Sequence, residues 1–299
     1  MNKTLREWGA EHVLVSYFYL RQKGTKAIER VLTEFPDVFL DSGAFTLRQQ
    51  IRREHQFVDS SEENQWVMKY IDDYVEFITR YGDVFTLVAE VDVGTWQQKT
   101  RYREILTEKL PSNITLLPVI HRADPDRYVE FLCQKYPYVA YAGLKGYSVA
   151  ENRRYMARRL IPAVKNGTQV HGFALTAVDI MRAFGLASVD SASWLHGGKH
   201  GMTFWFDGQH LRAYDKFQKW VRLRFKNEVK DLGISWIDFL DDKPYAINGF
   251  NLAQWLKFQN YLDSEVTGLG KFKKHQEQFW RGEGEEWQNK DKQLETGVF

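Results

Sequence analysis

The chain has 299 residues, a hydrophobic content of 43% and a formal net charge of +2. This length suits one large domain or two small ones, and the near-neutral charge requires any surface that binds nucleic acid to be local. The single cysteine, Cys133, excludes an intramolecular disulfide and a multi-cysteine metal site, and it suits a reducing cytoplasm. The N-terminus does not resemble a signal peptide and no apolar run has membrane-spanning length, so we expect no membrane partner.

Strand-like and helix-like segments alternate along most of the chain. The predicted strands are Val13–Leu20, Asp37–Phe45, Phe85–Val93, Thr115–His121, Tyr138–Gly143, Gln169–Leu175, Ala187–Ala192 and Met202–Phe206. The predicted helices between them are Thr25–Glu34, Glu62–Tyr81, Thr95–Leu110, Pro125–Tyr136, Ala150–Val164 and Ala177–Phe184. Such alternation predicts parallel strands with crossover helices. Eight units make an α/β fold of the (β/α)8 TIM-barrel type the economical expectation, with an open doubly wound sheet as the alternative.

The pattern changes after residue 210. We therefore predict a barrel over residues 1–210 and a helical C-terminal extension over residues 211–299 that packs on it. Leu211–Leu232 is predicted as a basic helix whose aromatic residues, spaced by three and four, dock on the barrel; Asn251–Leu262 is predicted as a second helix. The polar end of the chain, from Lys271, is expected to pack weakly.

Polar side chains end several of the predicted strands, where barrel enzymes place their active sites. Asp41, Asp92 and His121 end the second, third and fourth strands, Gly143 ends the fifth, His171 lies within the sixth and Asp190 lies in the seventh. An aspartate at a strand end also commonly caps the next helix or turn, and that alternative stays open for each carboxylate alone. Two facing carboxylates are the pair that glycosidic chemistry uses: one attacks the anomeric carbon and the other handles the proton of the leaving group.

Five short motifs resemble those of the tRNA-guanine transglycosylase superfamily and occur in the same order. They are LDSGAF (Leu40–Phe45), EVDVG (Glu90–Gly94), AGLKG (Ala142–Gly146), VHGFALT (Val170–Thr176) and SVDSASW (Ser188–Trp194). The set looks most like the short, phage-type DNA 7-deazaguanine transglycosylases of the DpdA type. The resemblance covers roughly residues 10–210 and implies a (β/α)8 barrel, in agreement with the alternation of elements.

The resemblance also implies roles for the matching residues. Asp190 corresponds to the nucleophile that attacks C1′ of the target nucleoside. Asp41 corresponds to the general acid/base, which protonates the outgoing guanine and then deprotonates the incoming base. Asp92 corresponds to the carboxylate that accepts hydrogen bonds from N1–H and the 2-amino group of the base. The other residues that match the base-binding region are Ser42, Gly43, His121, Gly143, Leu144, His171 and Phe173.

The activity implied is exchange of guanine in DNA for a free 7-deazaguanine base, such as preQ0 or preQ1, through a covalent glycosyl–aspartate. A paired base cannot reach such a pocket, so the target guanine is flipped out or single-stranded. Exchange on tRNA, a non-catalytic nucleic-acid-binding subunit and base removal without reinsertion stay open as alternatives. An enzyme encoded by a phage would act in the host cytoplasm.

The chain departs from the tRNA-acting enzymes of that superfamily at their zinc site. Those enzymes carry a C-x-C-x-x-C cluster and a distant histidine, whereas Cys133 stands alone here. We therefore expect no zinc and no other cofactor. The chain is also shorter than those enzymes, which favours DNA over tRNA.

Two basic segments are candidates for contacts with the nucleic-acid backbone. Arg48, Arg52 and Arg53 lie in the polar segment Thr46–Glu63, which is predicted as a long loop after the strand of Asp41. Lys219 and Arg222 lie in the predicted basic helix. An ordinary charged loop and an ordinary solvated helix face are the alternatives for the two segments.

Overall fold

The computed structural model of the chain describes residues 5–35, 37–55, 61–143, 146–175 and 177–267. The expectations for Leu144 and for the segment from Lys271 onward lie outside these residues. Contacts divide the chain into two compact units, one of Met1–Leu175 with Leu186–Ser191 and the other of Thr176–Gly185 with Ala192–Phe299. This division falls before the boundary after residue 210 that the sequence predicts.

The strands of the first unit pair in parallel. They are β1 (His12–Ser16), β2 (Asp37–Asp41), β3 (Phe85–Ala89), β4 (Leu116–Leu117), β5 (Val119–Ile120), β6 (Tyr138–Tyr141), β7 (Gln169–Gly172) and β8 (Ser188–Val189). One sheet has the order β1-β2-β3-β4 and the other the order β5-β6-β7-β8. The prediction of parallel strands alternating with helices is thus confirmed.

Helices cover most of the chain between these strands. Those of the first unit are α1 (Tyr17–Leu20), α2 (Thr25–Glu34), α3 (Ala44–His55), α4 (Ser61–Tyr81), α5 (Trp96–Lys109), α6 (Asp126–Lys135), α7 (Val149–Arg159) and α8 (Ile161–Asn166). Those of the second unit are α9 (Val178–Ala183), α10 (His196–His200), α11 (Lys226–Asp231), α12 (Trp236–Leu240) and α13 (Pro244–Thr267). Short 3₁₀ helices occupy Gly82–Val84, Ser193–Leu195 and Lys216–Phe225. Among the described residues, no helix combines the length and apolarity that crossing a bilayer requires.

The predicted fourth strand is interrupted at Pro118, which separates β4 from β5. Proline has no N–H to donate to a ladder. Its carbonyl still accepts a hydrogen bond of 2.8 Å from Ala140 N of β6. On the other side, Leu117 O accepts a hydrogen bond of 3.0 Å from Glu90 N, just after β3. The segment from β4 to β5 therefore links the two parallel sheets.

Aromatic rings from distant strands meet on one face of these sheets. The ring of Phe39 in β2 lies 4.9 Å from that of His171 in β7 and 5.7 Å from that of Phe173, between centroids. If β4 and β5 are counted as one position because they lie on one continuous segment, four inter-strand steps separate β2 from β7, which would amount to about 19 Å in a flat sheet. Contact between their side chains therefore requires the sheets to curve strongly around a shared core, which includes Leu117 and Val119.

Two segments of the first unit are helical where the sequence predicts otherwise. The predicted strand Val13–Leu20 ends at Ser16, and Tyr17–Leu20 forms α1. The segment Thr46–Glu63 is not a long loop, because α3 extends to His55 and α4 begins at Ser61. Residues 56–60 lie outside the described part of the chain. Apolar positions of α3, including Leu47 and Ile51, are buried at helical spacing, which the many charged neighbours obscure in the sequence.

The second unit corrects two predictions. Met202–Phe206 is not an eighth parallel strand: β9 (Thr203–Phe206) pairs antiparallel with β10 (Leu211–Tyr214). Leu211–Leu232 is not one helix, because β10 is followed by the 3₁₀ helix Lys216–Phe225 and then by α11. The hairpin turn is held by Asp207, whose carboxylate accepts hydrogen bonds from the backbone N–H groups of Gln209 and His210. Strands of four residues are too short to stand out from a helical pattern.

Candidate active site

Asp41 is positioned by its neighbours in sequence and in the sheet. It is the last residue of β2 and the register partner of Ser16, the last residue of β1. The Ser16 hydroxyl and the Gly43 backbone N–H both donate hydrogen bonds to the Asp41 carboxylate. Gly43 has φ +75°, and a Cβ there would lie 2.4 Å from Cβ of Phe18. The turn after β2 therefore requires glycine to bring its N–H to the carboxylate.

The electrostatic surroundings of Asp41 favour its protonated form. Burial is the largest effect and raises its pKa. The negative charges of Asp92 and, to a smaller extent, Asp190 raise it further, to about 7 from the usual 3.8. The hydrogen bonds from Gly43 and Ser16 act in the opposite direction and only partly offset this effect. A carboxyl group with this pKa can both donate and accept a proton near neutral pH.

The surroundings of Asp92 favour its ionised form, because a histidine side chain lies against its carboxylate. His121 Nε2 lies 2.5 Å from Asp92 Oδ2. Burial raises the pKa of Asp92, but the hydrogen bond and charge of His121 and the charge of Lys99 outweigh burial, so this pKa lies below its ordinary value. Asp124 supports the pair by accepting a hydrogen bond of 2.7 Å from His121 N and one of 2.5 Å from the buried Lys99 ammonium.

Asp190 directly follows β8 and is held through one of its oxygens. Oδ1 accepts a hydrogen bond of 2.8 Å from Ala174 N and lies 3.4 Å from His171 Nε2. The other ring nitrogen of His171, Nδ1, lies 2.6 Å from Ser188 Oγ, which in turn lies 2.6 Å from the Tyr138 hydroxyl. Among the described residues, Oδ2 accepts no hydrogen bond, so it is the carboxylate oxygen available to another group.

Strand periodicity explains why these groups converge. Residues two apart on a strand point to the same side of a sheet. Asp41 is in phase with Phe39 and Asp190 with Ser188, and both partners contact the ring of His171. The charges of Asp92 and Asp190 both act on Asp41, so the structure brings the three carboxylates within electrostatic reach of one another.

Glu90, in the same motif as Asp92, holds two neighbouring segments of the sheet together. Its carboxylate is buried, receives a hydrogen bond of 2.6 Å from Arg103 Nε and accepts one of 2.7 Å from Val119 N. Val119 is the first residue after the interruption at Pro118, so Glu90 replaces a ladder hydrogen bond there. This contact fastens the end of β3 to the segment that carries His121.

The remaining residues predicted for the base pocket have different surroundings. Ser42 is buried, and its carbonyl accepts a hydrogen bond of 2.5 Å from the Tyr70 hydroxyl, which holds the turn after Asp41 in place. Gly143 has φ +78°, and a Cβ there would lie 3.8 Å from His121 Nδ1. Phe173 is partly buried, with its ring centroid 4.6 Å from that of His171.

The three arginines predicted near the site lie on a helix rather than on a loop. Arg48, Arg52 and Arg53 belong to α3, which begins three residues after Asp41, and all three are exposed. Arg53 Nη2 donates a hydrogen bond of 3.5 Å to Gln49, one turn earlier on the same helix. Their exposure is compatible with phosphate contacts, which stay a prediction.

The structure contradicts the prediction that Arg222, in the second unit, contacts phosphate. Its side chain is 1% exposed and forms hydrogen bonds with Thr203 Oγ1 (2.8 Å) and the Gly201 carbonyl (2.9 Å). It also pairs with Asp242 at 2.5 Å. A guanidinium whose donors are used inside the unit is not presented to a nucleic acid. Lys219 is exposed but also pairs with Asp242.

Sequence reasoning missed Ser16 and Ser188. Ser188 lies two residues before Asp190, so the period of a strand could have placed both on one face. Ser16 carries no such signal, because only the pairing of β1 with β2 brings it to Asp41.

Within the described ranges, no group of three or more histidine, cysteine, aspartate and glutamate side chains is arranged to hold a metal ion. Comparison of the sequence with models of known protein families gives no match, and comparison with curated proteins gives none either.

Proposed function

We propose that the chain is a base-exchanging glycosyltransferase that replaces guanine in DNA by a 7-deazaguanine base. The observation that carries this proposal is the pair formed by Asp41 and Asp190. Asp41 has a pKa of about 7, whereas one oxygen of Asp190 is held by the N–H of Ala174 and lies 3.4 Å from His171 Nε2. Two carboxylates in such different environments suit a proton-transfer group and a nucleophile.

We propose further that the parallel strands of the first unit form a barrel of the TIM type, in which β4 and β5 together act as one strand. The contacts of Phe39 with His171 and Phe173 support this arrangement, because they bring the inward faces of β2 and β7 together. A barrel also accounts for carboxylates from several strand ends converging at one rim.

In the first step an oxygen of ionised Asp190 attacks C1′ of the target nucleotide. The bond between C1′ and N9 breaks, and its electron pair leaves with the guanine. Protonated Asp41 transfers its proton to the departing base, so that guanine leaves neutral and Asp41 becomes a carboxylate. The product is an ester between Asp190 and C1′, which keeps the DNA strand attached while the base is replaced.

In the second step Asp41, now ionised, removes the N9 proton of the incoming 7-deazaguanine. The freed electron pair on N9 attacks C1′, and the ester bond breaks with its electrons returning to Asp190. Both carboxyl groups regain their starting states, so the exchange needs no cofactor. Two inversions at C1′ retain its configuration.

Asp92 and His121 suit recognition of the base. A carboxylate with a lowered pKa stays ionised and accepts hydrogen bonds from the N1–H and 2-amino edge of guanine, an edge that 7-deazaguanines share. The imidazole of His121 lies 2.5 Å from Oδ2 of that carboxylate. Binding of the base therefore requires this contact to adjust or the base to use the other oxygen.

Incorporation of radiolabelled guanine into DNA and into tRNA, measured side by side, tests the proposal. We expect label in DNA with the wild-type protein, no label with Asp190→Asn, and wild-type labelling with the exposed control Asp179→Asn. A covalent protein–DNA adduct should be trapped only where Asp190 is intact. Label in tRNA alone would replace DNA by tRNA as the substrate, and label in neither would favour a binding subunit or base removal.

A further inference from the structure

An exposed group of large apolar side chains lies on the 3₁₀ helix Lys216–Phe225 of the second unit. Phe217, Trp220 and Leu223 are 81%, 60% and 63% exposed, and we call these three apolar residues the aromatic row; the helix is kinked at Gln218, between Phe217 and Trp220. A 3₁₀ helix has three residues per turn, so Trp220 and Leu223 lie on the same side of it. Val221 and Phe225 fill the opposite side and are buried.

The aromatic row reverses what the sequence predicts for this segment. The sequence predicts that Phe217 and Trp220 pack against the protein and that Arg222 contacts phosphate, whereas in the structure the two rings are exposed and the arginine is buried. Large apolar side chains exposed together are typical of interaction sites rather than of ordinary protein surface.

Basic side chains accompany these rings. The Lys216 ammonium lies 5.1 Å from the centroid of the Phe217 ring, and the Arg224 guanidinium carbon lies 5.3 Å from that of the Trp220 ring. The segment from residue 211 to residue 232 contains seven basic and three acidic residues, a net charge of +4, against +2 for the entire chain. The partner should therefore carry negative charge and also offer flat apolar faces.

Single-stranded nucleic acid has both properties, since it alternates phosphates with bases whose faces are unpaired and accessible. A duplex presents phosphates but keeps its base faces stacked inside. An acidic peptide presents carboxylates without a regular series of flat rings. The combination of exposed aromatic rings with adjacent cations thus fits unpaired nucleotides better than either of these partners.

We propose that the aromatic row binds unpaired nucleotides of a single strand, with bases stacking on Phe217 and Trp220 and phosphates contacting Lys216 and Arg224. This inference goes beyond the proposed base exchange. It uses no carboxylate of the candidate active site and requires no guanine, so the two proposals stand or fall separately.

Binding of a fluorescently labelled homothymidine strand, followed by anisotropy, tests this inference without a substrate base. We expect Phe217→Ala and Trp220→Ala each to weaken binding about fivefold or more, because stacking of a base on an aromatic ring is lost. Trp220→Phe, which keeps a flat ring, should retain most of the affinity. The matched control is Phe131→Ala, which removes another exposed ring with a lysine, Lys135, 5.5 Å from its centroid.

Three results would overturn the inference. The first is binding of the homothymidine strand by both alanine variants as tightly as by the wild type. The second is an equal loss for Phe131→Ala, which would indicate nonspecific attraction. The third is weakened binding by the alanine variants together with a lowered melting temperature, which would mean that these side chains stabilise the fold rather than bind nucleotides. Exchange activity towards guanine plays no part in these measurements.

Discussion

His171 Nε2 lies 3.4 Å from Asp190 Oδ1, while Nδ1 of the same ring lies 2.6 Å from Ser188 Oγ. When the serine hydroxyl donates to Nδ1, the ring hydrogen is on Nε2, which lies close to the carboxylate without forming a hydrogen bond to it. The Tyr138 hydroxyl, 2.6 Å from Ser188 Oγ, completes the chain of polar contacts. The buried histidine is thereby held in one orientation beneath the proposed nucleophile, as a positioning residue.

Replacing Ser188 by alanine should loosen this arrangement. We expect Ser188→Ala to slow formation of the covalent intermediate roughly fivefold, the equivalent of about 1 kcal/mol for one hydrogen bond, without changing the affinity for the free base. Single-turnover trapping of the adduct measures the rate, and equilibrium binding measures the affinity. Ser188→Thr, which keeps the hydroxyl, should restore most of the rate. If Ser188→Ala formed the adduct at the wild-type rate, this result would contradict the positioning role of His171.

The raised pKa of Asp41 predicts a pH-dependent effect on stability. Since the folded-state pKa of about 7 lies above the ordinary 3.8, the folded state binds this proton more tightly than the unfolded state does. The protein therefore loses stability from this group as the pH rises from about 4 to about 7, by at most about 4 kcal/mol. Relative to the wild type, Asp41→Asn should become progressively more stable over that range. Urea unfolding at a series of pH values measures the difference.

Asp92→Asn serves as the control of opposite sign. The pKa of Asp92 is lowered, so its carboxylate contributes stability that is present above the ordinary pKa and is lost as the pH falls through the folded-state pKa. The asparagine variant should therefore be less stable than the wild type at neutral pH, with a difference that shrinks in acid. If the difference in unfolding free energy from the wild type changed with pH in the same direction for both variants, Asp41 and Asp92 could not have pKa values shifted in opposite directions.

The turn after Asp41 should not tolerate a side chain. Gly43→Ala places a Cβ at φ +75° and 2.4 Å from Phe18 Cβ, so we expect a loss of about 2–5 kcal/mol in the free energy of unfolding. Gly167→Ala is the matched control, because Gly167 has φ +67° but a Cβ there meets no atom within 4 Å. That variant should lose only about 1–2 kcal/mol. Equal losses in denaturant unfolding would show that the conformation, rather than the close approach, limits this position.

Arg222 should matter for folding rather than for binding. Arg222→Met removes a buried guanidinium and its pairing with Asp242, with an expected loss of about 3–5 kcal/mol in stability. Lys219→Met removes the exposed partner of the same aspartate and should cost less than about 1 kcal/mol. Chemical denaturation of the two variants provides the comparison. A stable Arg222→Met protein with weakened DNA binding would instead support the role in phosphate contact that the sequence predicts.

Much of the fold could be predicted because helices and parallel strands leave strong patterns. Helices α5 and α6 lie close to their predicted bounds: the side chain of Thr95 caps the start of α5, and buried apolar side chains recur at helical spacing along α6. The hairpin of β9 and β10 could not be predicted, because its pairing depends on a turn at Asp207 rather than on any long periodic segment.

The candidate site divides in the same way. That Asp41 and Asp190 end strands follows from the residues alone, because a charge after an apolar β-run cannot continue into a buried sheet. Their environments could not be read from the chain. The contact of Asp190 with His171 and the action of Asp92 on Asp41 each link neighbouring parallel strands whose register the sequence does not set, and the strength of a charge depends on what the fold places around it. For the same reason, Arg222 and Trp220 are both amphipathic residues on one short helix, and packing alone assigned the arginine to the interior and the tryptophan to the surface.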